Sequence, residues 1–156
     1  NKMGVFEKVF GTHSERELKR INKIVDKIET FNYGLTDKDE EKDILLTNEE
    51  SGYRSILAPA SEGNSVRIVC KNAGKIINDI IKDNQGKKII LKIDTEGSEY
   101  IIFDSLKKEG CFSKIDAILM EYHNGADVLI DILKKHNFKV LMHGPKNKIG
   151  MLYGIR

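Results

Sequence analysis

From residue 64 onward, apolar runs of strand length alternate with apolar repeats of helical spacing. No other feature limits the possible folds as strongly. Residues 66–70 alternate like a strand. Ile76, Ile77, Ile80 and Ile81 repeat at i, i+1, i+4 and i+5, the pattern of one helical face. Residues 88–94 read as an apolar strand, expected at the sheet centre. Residues 100–108 read as a helix that Gly110 stops. Ala117–Tyr122 is again a strand, and Val128, Leu129, Ile132 and Leu133 mark another helix. Residues 138–142 and 149–155 predict two strands paired antiparallel around Gly144-Pro145. Such alternation builds a mostly parallel sheet with helices on its faces, so the expected class is α/β.

Composition narrows the function. Lys+Arg is 26 and Asp+Glu is 24, a formal net charge of +2. A dedicated nucleic-acid binder shows a stronger basic excess, so no nucleic-acid partner is expected. No apolar run reaches the length of a bilayer span. Cys70 and Cys111 form neither a disulfide framework nor a Cys-x-x-Cys pair, so structural zinc is not expected. A reducing, cytoplasmic setting follows as the default.

The first thirty residues read as a helical leader. Ser14 and Glu17 have the spacing of a capping box. Leu18, Ile21, Val25 and Ile28 follow on one face, with Lys and Arg on the other. Residues 31–156 then form the second domain. Its opening stretch is loop-rich, with a short strand expected over residues 43–47. The acidic run Asp37-Lys38-Asp39-Glu40-Glu41-Lys42-Asp43 predicts a solvated turn, because it lacks the alternation and central glycine of a calcium loop.

In an open α/β sheet, ligands bind beyond the carboxyl ends of strands, and two such ends carry polar clusters. The first is Asp94-Thr95-Glu96-Gly97-Ser98-Glu99. Its three acids repel one another unless a cation, solvent or a basic ligand group offsets them. Acids at a helix start also suit the helix dipole, which gives Glu96 and Glu99 a purely structural alternative. The second is Glu121-Tyr122-His123-Asn124-Gly125. A carboxylate beside an imidazole can relay protons, although a strand-end histidine is often only a hydrogen-bonded surface residue. Adjacent parallel strands would bring Asp94 and His123 together at one rim. His13, His136 and His143 sit near a helix cap, a helix end and a turn. The sequence has no nucleophile elbow, His-Glu-x-x-His or phosphate loop.

Lys92-Ile93-Asp94-Thr95-Glu96-Gly97-Ser98-Glu99 closely resembles the strand-end signature of the FkbM-type S-adenosylmethionine-dependent methyltransferases. Asn32-Tyr33-Gly34-Leu35-Thr36-Asp37 resembles that family's Asn-x-Gly-Leu-Ser-Asp segment. Tyr53-Arg54-Ser55-Ile56-Leu57 resembles its serine-containing loop, and residues 117–123 resemble its strand ending in Glu-x-His. The resemblance covers about residues 32–143. It implies a Rossmann-like methyltransferase sheet and methyl transfer from S-adenosylmethionine to a small-molecule or glycan acceptor, usually at oxygen. It places Asp94, Glu96 and His123 nearest the acceptor as catalytic residues, with Glu99, Glu121 and Ser55 binding substrate. The family's cofactor site begins with a glycine-rich strand-to-helix turn, and nothing before Asn32 supplies one. The chain is therefore expected to enter the fold after the cofactor half, with its cofactor-binding residues unassigned.

Residues 4–29 resemble the N-terminus of the SecA translocase motor family. That likeness excludes everything that makes SecA an ATPase. It implies at most a weak membrane or translocon contact through Lys2, Phe6, Lys8 and Phe10. The bland alternative is a helix packed on a bare sheet edge. Three functions are thus expected of the chain: an FkbM-type methyltransferase, a non-catalytic methyltransferase-like module, or an adaptor acting through its leader.

Overall fold

The computed structural model describes residues 13–45 and 65–156. It divides the chain into two units, Asn1–Asn32 and Tyr33–Arg156. In the first, α1 spans His13–Val25. Ser14 is the second residue of this helix, so the expected cap falls two residues late. Leu18, Ile21, Ile24 and Val25 on α1, and Ile28 and Phe31 beyond it, are all exposed.

The second unit is mixed α/β. Its three-stranded sheet has the order β1-β3-β2, with β1 Gly34–Thr36, β2 Glu40–Leu45 and β3 Ser65–Asn72. β1 runs parallel to β3, and β2 runs antiparallel to it. The acidic run is a turn only over residues 37–39, because residues 40–43 belong to β2. Cross-strand charge explains the difference: Asp43 sits opposite Arg67 and accepts from its Nε at 3.0 Å. Arg67 holds the Asp43 carboxyl below its ordinary range. Within the strand, Lys42 pairs with Glu40 at 3.2 Å.

The four-stranded sheet has the order β4-β5-β7-β6, with β4 Ile90–Ile93, β5 Ala117–Tyr122, β6 Lys139–His143 and β7 Gly150–Ile155. β4 and β5 are parallel and joined through α3, Glu99–Lys108. β7 lies antiparallel between β5 and β6, as the short Gly144-Pro145 turn requires of its pairing with β6. β4 was expected at the centre of a sheet, yet it stands at one end of this one. Its outer edge carries no strand among the described residues.

Helix α2, Ala73–Asp83, starts where Asn72 ends β3. The Asn72 side chain accepts from Lys75 N at 2.9 Å and from Ser105 Oγ at 3.0 Å, and donates to Asp37 O at 2.6 Å. One residue thus caps α2 and ties it to α3 and to the β1–β2 turn. Gly74 lets α2 and α3 approach closely, since a Cβ there would lie 2.6 Å from Ser105 O.

The core lies between the helices and the four-stranded sheet. Phe112 sits at its middle, edge-on to Phe103 at 5.2 Å and to Phe138 at 6.4 Å. It also stacks on His136 at 4.8 Å, which gives that helix-end histidine a packing role the sequence did not reveal. Cys70 and Cys111 are free and buried, and burial raises both thiols above their ordinary range. No described helix is long and apolar enough to cross a membrane.

Candidate functional site

Parallel register brings two strand ends together: Ile93 lies beside Met120, so the bend after β4 faces the end of β5. The bend turns sharply. Glu96 has φ 48° and Gly97 has φ 98°, two consecutive left-handed residues. Glycine takes that conformation freely, whereas for Glu96 it is a strained one that needs support from its surroundings. The Ser98 hydroxyl makes no capping bond to α3. The first residue of the helix does that work instead: Gly97 N donates to Glu99 Oε2 at 2.9 Å, and Thr95 Oγ1 donates to the same oxygen at 3.3 Å.

Glu99 is fully buried, with 0% of its surface exposed. Its other oxygen faces β5. His123 N donates to Oε1 at 2.8 Å, and His123 Nδ1 lies 3.0 Å from it. On the opposite side of the ring, Nε2 lies 3.2 Å from Glu96 Oε2. Imidazole is thus held between a buried carboxylate and a partly exposed one. Both contacts are hydrogen bonds at once only when both ring nitrogens carry protons.

Tyr100 supports the same wall. Its hydroxyl donates to Gly125 O at 2.6 Å and accepts from Asn124 N at 3.0 Å, which pins the loop after β5 to α3. Burial raises its phenol above the ordinary range.

The expected site residues separate in space. Glu96, Glu99 and His123 form one cluster. Asp94 stays outside it and pairs with Lys92 at 3.1 Å, and among the described residues no ion pair joins Asp94 to His123. Its side chain follows the exposed edge strand, so the nearest cation captures it. Glu121 lies in β5 opposite Met151 and makes no ion pair with His123 among the described residues. Ser55 lies outside the described residues. Gly97 makes the tight turn its sequence position suggested, whereas Thr95 and Tyr100 went unrecognised in the sequence. The Thr95–Glu99 spacing of four was the available signal for the first.

Neither of two cavities among the described residues is lined by glycine, as a seat for S-adenosylmethionine would be. Gly74 stands where β3 turns into α2, but it is spent on packing against Ser105 and cannot face a ligand. The cavity beside β4, lined by Leu35, Leu91, Ile93, Thr95 and Leu106, holds about 90 Å³. Sites for small organic ligands start near ~300 Å³. A larger cavity of about 440 Å³ lies against α2, lined by Asn78, Lys82, Gln85 and Lys114, and shares no residue with the acidic bend. Among the described residues, no three His, Cys, Asp or Glu side chains are grouped to hold a metal ion.

Comparison with known proteins reaches only a small part of the chain. No family model matches it. A 29-residue segment, 19% of the chain, is 62% identical to the protein translocase subunit SecA of Clostridium botulinum strain Hall, and equally to that of strain Okra. A short segment of the chain is SecA-like. It spans 4% of those SecA proteins.

Proposed function

We propose that this chain is the acceptor side of an FkbM-type, S-adenosylmethionine-dependent methyltransferase with a Rossmann-like sheet, acting on a hydroxyl of a small-molecule or glycan acceptor. The observation that carries the reading is the Glu96–His123–Glu99 cluster. Its residues come from the FkbM-like signature and the following Glu-x-His, and they meet at the carboxyl ends of two adjacent parallel strands. His123 has the chemistry to accept a proton from an acceptor hydroxyl, and Glu96 to orient that hydroxyl. The cofactor would be held mainly by elements outside the described residues.

Two titrations of the chain test this. Calorimetry with S-adenosylmethionine at millimolar concentration should give no saturable heat. NMR titration with a panel of hydroxylated sugars and small alcohols should move the amides of residues 94–99 and 123. Acceptors that shift none of those amides would leave a non-catalytic methyltransferase-like module as the better reading.

A second reading has its own support. The exposed apolar residues of α1, together with the SecA-like segment, favour an adaptor that meets a membrane or translocon through residues 1–30. Anionic vesicles should then co-sediment the chain, and deleting residues 1–30 should abolish that binding. An unchanged bound fraction after the deletion removes the idea.

A further inference from the structure

We infer that Glu99 is the positioning residue of this site: it fixes His123 Nδ1 as the protonated nitrogen and turns Nε2 toward the acceptor. The functional meaning of this role rests on the acceptor-side reading above. The geometry behind it does not.

Glu99 has no capacity left for a substrate. Each carboxylate oxygen already has two partners: Gly97 N and Thr95 Oγ1 on Oε2, and His123 N and Nδ1 on Oε1. The residue is also sealed from solvent. This reassigns it from the substrate-binding role that the family resemblance implied.

What Glu99 does instead is grip His123 at two points with one oxygen. The backbone N–H fixes where the ring starts, and Nδ1 fixes how it is turned. A carboxylate can only accept, so the nitrogen facing buried Glu99 donates; Nε2 donates to the partly exposed Glu96 only while that contact is made, and once a hydroxyl displaces Glu96 the neutral ring keeps its proton on Nδ1. Nε2 is then the working nitrogen. It points at Glu96 Oε2, whose side chain is 31% exposed, so this end of the ring reaches the surface. A hydroxyl taking the place of that oxygen would pass its proton to Nε2. The O–H bond breaks, the electron pair stays on oxygen, and the buried Glu99 carboxylate stabilises the imidazolium that forms.

Imidazole ¹⁵N NMR on the full chain tests this without any ligand. His123 is assigned by the signal lost in His123→Gln, and His13, His136 and His143 serve as internal references. Nδ1 of His123 should be the protonated nitrogen of the neutral ring. Glu99→Gln should lower the Nδ1-protonated fraction about twofold or more, because the amide cannot serve all four donors. Glu96→Gln should leave it unchanged. A wild-type ring with a bare Nδ1, or a folded Glu99→Gln chain with the same tautomer as wild type, overturns the inference. If Glu99→Gln does not fold, the wild-type spectrum still decides the matter, and Glu99→Asp tests it again by keeping the charge while shortening the reach. A chain with the expected tautomer and no acceptor-induced shifts would sink the acceptor-side reading and leave the role of Glu99 in place.

Discussion

Glu99→Ala should destabilise the Tyr33–Arg156 unit by about 4 kcal/mol, which lowers its thermal midpoint by about 15 °C. The substitution strands several donors at once. Gly97 N, His123 N and the His123 ring would all lose the same acceptor in a site closed to water. Each unsatisfied buried group costs roughly 1–3 kcal/mol. The contrast with Glu96→Ala makes the test specific. Glu96 is partly exposed, and an exposed ion pair contributes only about 0–1 kcal/mol, so its loss should be small. Chemical denaturation of the two variants measures the difference directly. Equal losses, or a Glu99→Ala cost below about 1 kcal/mol, would mean that the carboxylate is not the clamp its hydrogen bonds describe.

Phe112→Ala should cost a similar amount, about 3–5 kcal/mol. Phe112 is fully buried, and three ring contacts converge on it. Truncation removes transfer energy and leaves a cavity between α3, the 3₁₀ turn Cys111–Lys114 and the end of α4, Asp127–Lys135. Phe112→Leu, which refills much of that volume, should recover more than half of the loss in the same denaturation measurement. A Leu variant no more stable than Ala would indicate that the aromatic stacking on His136 matters more than volume.

These two residues were unequally legible in the sequence. Glu99 stood out because three acids within six residues are chemically conspicuous. Its burial was not legible, because helix-start acids usually face solvent. What buried it was the neighbouring strand: the β5 end brings two donors of His123 to a carboxylate that local sequence places at a helix start. Phe112 gave no such sign. It lies in a four-residue turn, where periodicity carries no information, and its ring partners come from α3 and from the turn between α4 and β6.

The strands and helices after Ser65 were legible because each has the period of its own element, and β5 falls on the residues that alternation picked out. The strand expected over residues 43–47 overlaps β2 at its end, and the start of β2 was missed because charged residues dominate it. Its stability comes from cross-strand partners on β3, which no local window contains. The position of β4 was misjudged for a related reason. An apolar run reports burial on its faces and says nothing of how many neighbours line its edges.

Among the described residues no strand covers the outer edge of β4. Three aliphatic residues, Ile90, Leu91 and Ile93, offer a short row of open backbone donors and acceptors, and a single charge, Lys92, interrupts it. Natural sheets blunt such margins with lysine, because stacking like copies forces ammonium groups together. Here that lysine pairs with Asp94 at 3.1 Å, so the guard on this edge against a second copy is one partly compensated charge.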